Sequence, residues 1–554
     1  MRLLLAVTTV GNFDLQAFRI QADIARAGGN IYAEFRFYNY SPLWMFIVGA
    51  ISVAADTLHI PFPSAVRIFL SIIDLLNALL IGKITRRPDA FAAYLLNPVA
   101  ILLTGYGGQF EMLAILPLLG SVWLHQRGFQ AKWIWLGATL SLLIKHLTLF
   151  SVWMLFIYAF GWRRGILRFI ASAAIFALSF VPFLPQGAEG IYANVLHYAS
   201  EVGFYGFGAL LPASVASVMM FIVLLFVLPA LVQRLQASLT EAMLMSTIGL
   251  LALMYGFADQ YLILVVVWGV ILPSVWFNLY TLLALFYLLL APWEALGEFT
   301  QRVYNFMLPF NVWWSNAIWL LTLGWLSSYM VKAVWQSFVE LEPLLKVYPK
   351  LTFLQRAHMT IRWLVCPLSR IALYVPQKGV ILDLGCGHGL FSLLLARGAA
   401  TRAVIGIELD QDKLSLANTL RQRNLRFIAG DIAKQDDLPP AQAVTIIDVF
   451  YLIPYDAQEH LLEMCAARLA AGGVIVLKEM AETPRWKVWL NWLEETLAVR
   501  VLGITESTSP SFYFRPRAEW VALFEKLGFT VEVVPMDSGY YHPHVVFVAT
   551  LTRH

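Results

Sequence analysis

The sequence predicts a two-part fold class: a polytopic α-helical membrane unit over residues 1–328, then an α/β nucleotide-binding unit with a seven-stranded sheet over 379–554, joined by an amphipathic stretch at 329–378. Three observations predict it. Asp, Glu, Lys and Arg number 30 in residues 1–339 and 44 in 340–554, so only the second part has the charge content of a soluble domain. Apolar runs near spanning length recur through the first part. In the second part, short apolar runs alternate with a glycine-rich turn and helical segments, the pattern of a sheet wound with helices.

Composition also excludes partners. A net charge of +4 over 554 residues, with no dense Lys/Arg cluster, argues against nucleic acid. The three cysteines, Cys366, Cys386 and Cys465, fit neither a zinc spacing nor a disulfide framework. They suit a reducing compartment. No obligate protein partner can be inferred.

Taken in order, Met1–Val10 is apolar but too short to span, and reads as the outer half of a first transmembrane helix or a signal-peptide remnant. An amphipathic stretch follows at 13–32. The apolar stretch 43–58 is short and reads as a helix on or dipping into the outer leaflet. Further runs follow at 64–82, 90–106, 110–124, 133–160, 166–184, 208–232, 240–257, 260–273, 275–291 and 307–328. The 133–160 run is long enough for two short helices bent at Lys145. Lys83, Arg86, Arg87, Arg127, Lys132, Arg163, Arg164, Arg168, Arg234 and Lys332 mark cytoplasmic connections. That count leaves 11–63, 106–110 and 185–207 outside and returns the chain to the cytoplasm after 328.

Ionisable groups at membrane depth are costly and mark function by default. Asp14 follows the first apolar stretch, Glu111 lies with Gln109 at the second outer turn, Lys145 and His146 sit between two apolar runs, and Asp259 lies at another outer end. Asp14 also suits a helix cap, and Lys145 also suits snorkelling. With YNYSPLW (38–44) and LNPVAILLTGYGGQFEM (96–112), this set resembles the C-type (GT-C) superfamily of polyprenyl-phosphate-sugar glycosyltransferases over about 1–300. The resemblance implies Asp14 as catalytic base, Glu111 as a second catalytic acid and Lys145 as the lipid-phosphate ligand. It also implies a polyprenyl-phosphate-linked sugar, a mannose-like hexose, as substrate, and a divalent cation as a possible cofactor.

The stretch 329–378 sets Lys332, Lys346, Lys350, Arg356, Arg362 and Arg370 among Trp, Phe and Leu. It reads either as helices on an anionic leaflet or as a helical cap on the soluble unit. Then KGVILDLGCGHGLFSLLLA (378–396) gives a buried strand, a glycine turn and a helix, the start of a nucleotide-binding unit. AVIGIEL (403–409) is a second strand ending in Glu408, placed as a ribose-binding acid is. LRFIAGDI, AVTIIDVFYLIP and AAGGVIVLKEM supply strands three to five. GFTVEVVPM and HVVFVATL supply a terminal pair.

This series resembles the Rossmann-like class I methyltransferases over about 375–554, most specifically through D-L-G-C-G-x-G at 383–389. The resemblance implies S-adenosylmethionine as cofactor. It places Asp383, Gly385, Cys386, Gly387 and Gly389 at the donor's amino-acid end and Glu408 and Leu409 at the ribose. It places Asp431 and Ile432 at the adenine, and Asp448, Val449 and Tyr451 over the methionine moiety. Acceptor-side candidates are Tyr513, Arg515 and His542, within SFYFRPRAEW (511–520) and GYYHPH (539–544), with His460, Lys478, Glu479 and His544 as further candidate bases and Arg515 and Arg517 as possible anion contacts. No metal site is predicted there. Two functions follow: a cytosolic methyltransferase fused to an inner-membrane glycosyltransferase, or a methyltransferase whose membrane part only anchors it or presents a lipid substrate.

Overall fold

The computed structural model describes residues 1–9, 11–197, 201–202, 205–290, 297–434, 437–482, 513–540 and 542–552. The chain divides into two compact units, Met1–Met330 and Val331–His554.

Among its described residues, the first unit is helical apart from one short strand pair, Glu201–Val202 with Gly256–Phe257. Among the described residues, four helical stretches are long and apolar enough to cross a membrane: Phe62–Thr85, His146–Leu196, Ala213–Arg234 and Val312–Leu345. A fifth arises if Pro88–Leu96 and Pro98–Tyr106, bent by 49°, form one broken span. The bend has a local cause. Asn97 precedes a proline, which disfavours helical backbone at Asn97 itself. Its side chain then accepts from the Val99 and Ala100 amides at 3.1 and 3.2 Å and restarts the helix.

The predicted short helix at 43–58 forms over Pro42–Leu58, with proline at its first turn. The 133–160 run does split at Lys145, which is extended between Ala131–Ile144 and a short helical turn at His146. The next run also follows expectation: Leu149–Leu178 is two helices that reverse at Gly161 (φ 71°, ψ 169°), a conformation only glycine adopts readily. Trp153 meets Phe169 across the reversal, and Arg163, Arg164 and Arg168 follow it directly. At the start of the chain, the helix Arg2–Thr8 is pinned from within. Arg2 donates to the fully buried Asp74 at 2.8 Å and to the Leu95 carbonyl, and Tyr94 also donates to Asp74 at 2.6 Å.

In the second unit the strands are β1 Gly379–Leu384, β2 Arg402–Glu408, β3 Leu425–Ala429, β4 Ala441–Ile447, β5 Leu469–Met480, β6 Phe529–Pro535 and β7 His544–Leu551. Their order is β3-β2-β1-β4-β5-β7-β6, parallel except for β7, which is antiparallel to both of its neighbours. Side chains alternate across the sheet. Leu382, Leu384, Val444, Ile446, Ile475, Leu477 and Phe547 pack on one face with Trp520 and Phe524. Ile381, Ala443, Ile447, Val476 and Val546 pack on the other with Met359, Trp363 and Ile371. A sheet covered on both faces reads as the continuous apolar runs seen in the sequence.

The second face is covered in part by the stretch 341–371. Leu341, Leu344, Leu345 and Tyr348 join its core. A cap helix, Phe353–Val365, follows, opened by a Thr352/Gln355 capping box. The helical-cap expectation for 329–378 is the one seen within this unit.

Candidate functional site

The glycine turn between β1 and the helix Leu390–Gly398 opens a cavity of about 200 Å³. Gly385, Gly387 and Gly389 all have positive φ (72°, 56° and 80°). At Gly387 a side chain would project into open space, so its absence leaves room for a ligand against bare backbone. Glu408, at the end of β2, ties the turn down: one carboxylate oxygen accepts from the Gly387 amide at 2.6 Å, the other from the Leu409 and Asp410 amides at 3.0 Å each. Asp383 lies 2% exposed beneath it, accepting from Ser392 (2.5 Å) and Thr445 (2.8 Å). Burial pushes its carboxyl up to about 6 against those two hydrogen bonds.

Of the predicted donor residues, Asp383, Gly385, Cys386, Gly387, Glu408, Asp448, Val449 and Tyr451 line this cavity. Four do not. Gly389 is held at the helix start, where a side chain would collide with Phe427. Leu409 is 45% exposed to solvent. Asp431 is occupied by its own turn, accepting from the Ala433 amide and pairing with Lys434 at 3.2 Å. Ile432 is packed in the core on one face of the sheet. The adenine-end assignments therefore have no counterpart in the cavity walls.

Sequence reasoning missed the wall contributed by the cap helix: His358, Met359 and Arg362. Arg362 pairs with Asp448 at 3.4 Å, and the buried Lys478 pairs with the same carboxylate. Asp448 adopts left-handed backbone (φ 56°), rare for a residue with a side chain. Burial alone would raise its carboxyl, but Lys478 and then Arg362 hold it down to about 2. The ion pairs fix the first residue after β4 in a conformation that points it into the cavity.

The acceptor-side expectations need correction. Arg515 is not available to grip an anion: it donates to Gln458 (2.7 Å), Glu459 (2.7 Å) and the Tyr455 carbonyl (3.1 Å), and lies over the Tyr455 ring. Tyr513 packs edge-on to Tyr455 and donates its amide to the Tyr451 carbonyl, next to the cavity wall. His542 is 5% exposed and buried beside His544. His544 donates through Nε2 to the Val365 carbonyl (2.7 Å) and pins the end of the cap helix. Lys478 is spent on Asp448. His460 is exposed on the helix Tyr455–Arg468 and Arg517 opens the helix Arg517–Lys526; neither lines the cavity. Ser511, Phe512 and Tyr541 lie outside the described residues.

Glu479 is 3% exposed on the other face, and burial, reinforced by the Asp448 charge, pushes its carboxyl up to about 8. An unfolded glutamate titrates near 4.3, so between about pH 4 and 8 the folded unit holds a proton that the unfolded chain releases. Stability is then full below that window and falls as pH rises through it. Glu479→Gln is expected to stabilise the unit by about 2 kcal/mol or more above pH 8 and to change little near pH 4. Thermal unfolding of both proteins across this range checks it; a pH-independent difference would contradict it.

In the first unit the structure brings together residues far apart in sequence. Asp14, near the start of the helix Phe13–Ala27, accepts from Gln109 Nε2 at 2.5 Å and from Asn12 at 3.3 Å. Glu111 and Lys145, 1% and 5% exposed, form a buried ion pair. The Lys145 ammonium also lies 4.5 Å from the Phe110 ring centre and 5.0 Å from that of Tyr40. Asp259 is near enough to interact electrostatically with Asp14 and Glu111. Arg67, 1% exposed, was not anticipated. It donates to Thr9 and to the Leu5 carbonyl and so fixes the loop that delivers Asp14. Snorkelling is excluded for Lys145 by its inward partner. Among the described residues no group of three His, Cys, Asp or Glu is placed to hold a metal, so the cation expected for this unit has no ready protein cage.

A family model described as a methyltransferase domain matches residues 358–534. A tRNA (guanine-N(7)-)-methyltransferase of Psychromonas ingrahamii is 30% identical over 174 residues, 28% of this chain and 68% of that protein. One of Aeromonas hydrophila is 27% identical over 179 residues, 29% of this chain and 72% of the relative. Among solved structures, a SAM-dependent methyltransferase of Methanosarcina mazei aligns with a TM-score of 0.27 at 19% identity, covering 33% of this chain and 98% of its own. With the glycine turn, Glu408 and the seven-stranded sheet in place, S-adenosylmethionine is the cofactor, and the chain belongs, through its second unit, to the S-adenosylmethionine-dependent methyltransferases.

Proposed function

We propose a bifunctional envelope-glycan enzyme: the second unit methylates a membrane-associated acceptor on the cytosolic side, and the first transfers a sugar from a polyprenyl-phosphate carrier on the opposite side of the inner membrane. The observation that carries the second activity is the convergence of Asp14, Gln109, Glu111 and Lys145, which span more than 130 positions of sequence, on one largely buried cluster. Such a cluster among apolar helices is too costly to be incidental. Asp14, only half-buried, is the base that draws a proton from an acceptor hydroxyl. Lys145 offsets charge on a departing phosphate, with Glu111 holding it in place until then.

In the second unit, bound S-adenosylmethionine supplies a methyl group already activated on a sulfonium, so the chain's residues chiefly align donor and acceptor. Gly385 to Gly387 admit the donor close to backbone. Glu408 retains a lone pair on Oε2 for a hydroxyl beyond those engaged by the three amides. Asp383, Asp448 and Arg362 line the end where an amino acid's charges are matched. The tRNA acted on by the relatives is not carried over. Val331–His554 has 23 Lys and Arg against 22 Asp and Glu, which gives no footprint for a polyanion.

One observation favours the anchor reading of the first unit: Lys145 is already neutralised by Glu111. Mass spectrometry of lipid-linked intermediates in a deletion strain separates the two. The bifunctional reading expects species lacking both a hexose and a methyl group; loss of the methyl group alone supports the anchor.

A further inference from the structure

The cap helix is apolar on two faces. Inward, Met359 and Trp363 enter the core, and His358, Met359 and Arg362 form one wall of the donor cavity. Outward, Phe353, Leu354 and Ile361 are 84%, 76% and 58% exposed, and positions 353, 357, 361 and 364 follow one another at helical spacing along a single stripe. Large apolar side chains so exposed side by side mark a surface that something covers.

Two features say what covers it. Residues 346–373 contain no Asp or Glu; Arg362 is turned inward onto Asp448, which leaves Lys346, Lys350, Arg356 and Arg370 against Glu340, which accepts from Ser369, and Glu342, shared by Lys346 (3.9 Å) and Arg356 (3.5 Å). The surroundings of the stripe are thus basic. The last membrane-length helix, Val312–Leu345, carries its end into this unit, where Leu341, Leu344 and Leu345 pack in the sheet core, so the span itself stops at least 12 residues before Phe353, a reach of about 43 Å of extended chain over those 12 residues. A basic, apolar-faced helix tethered this closely to a span has the composition of an interfacial helix.

We propose that the partner of this outer face is the surface of a lipid bilayer carrying anionic headgroups, so that one wall of the donor cavity is docked on the membrane and the methyl acceptor is a lipid-anchored molecule met there. The inference rests on the reading of the second unit as a donor-binding methyltransferase in a membrane-embedded chain. Cap and interfacial helix, alternatives on sequence, are then the two faces of one element.

The test uses the full chain in nanodiscs of phosphatidylcholine, alone or with phosphatidylglycerol, with an environment-sensitive fluorophore on Leu354→Cys. The control carries it on Glu525→Cys, an exposed position on the helix Arg517–Lys526, which packs on the opposite face of the sheet. Unsubstituted protein corrects for labelling of the three native cysteines. Bromolipids are expected to quench position 354 at least about twofold more than 525, and more strongly with phosphatidylglycerol. Equal, water-like emission at both sites overturns the proposal. So does energy transfer between labelled copies at 354 without bromolipid quenching, which makes a second copy the occupant. Binding of S-adenosylhomocysteine is measured on the same samples. Intact binding with an unquenched label sinks the docking alone, and absent binding sinks the reading of the site.

Discussion

Glu408→Ala is expected to weaken S-adenosylmethionine binding by about 100-fold or more. Glu408 does two jobs at once. It holds the Gly387 amide at 2.6 Å and so sets the turn, and it stands at the cavity edge with acceptor capacity left for a ribose. Hydrogen bonds to a charged acceptor contribute about 1.5–3 kcal/mol each, so losing the one to the ribose and the one that sets the Gly387 turn costs about 3 kcal/mol at the least, or roughly two powers of ten. The stabilisation of the unit by S-adenosylhomocysteine in thermal unfolding measures it. Glu408→Gln, which keeps one acceptor oxygen, should fall between the two. A variant that folds and is stabilised as much as the parent would remove Glu408 from the site.

Asp14→Asn is expected to lower sugar incorporation by about 10²–10⁴-fold, the range for removal of a positioned general base, and to leave methylation unchanged. Asparagine keeps the size of the side chain and a hydrogen-bonding oxygen for Gln109, so the cluster should persist while the proton acceptor is lost. Radiolabelled sugar transfer and methyl transfer, measured in parallel on the same membranes, give the two readouts. Unchanged sugar transfer would leave the first unit as an anchor.

The parts of the chain that were legible in the sequence are those where physics is local. The five inner strands appear as apolar runs because the sheet is covered on both faces, and the two edge strands, more exposed, as mixed ones. The glycine turn appears because its three positive-φ positions accept little else. The helix break at Lys145 follows from a charge between apolar runs; the break at Asn97, inside a run expected to be continuous, was not anticipated although a proline and a capping side chain cause it. The illegible parts are long-range. Arg362 reaches Asp448 from 86 positions upstream, and a basic residue in an amphipathic helix looks the same whether it faces solvent or a cavity. Arg515 looked like an anion grip because sequence cannot show that Gln458 and Glu459 already hold it. Asp431 carried the expected spacing, yet its carboxylate closes its own turn. In the first unit the polar residues could be singled out one by one. Their meeting, and the role of Arg67 in presenting Asp14, came only with the packing of helices.

The central claim is that the bend at Gly385–Gly389, with Glu408 beside it, cradles a sulfonium nucleoside. Isothermal titration calorimetry of the full chain in nanodiscs with S-adenosylmethionine addresses it directly. The account predicts saturable heat with one donor bound per chain. Correctly folded protein that yields no heat with either S-adenosylmethionine or S-adenosylhomocysteine would contradict it.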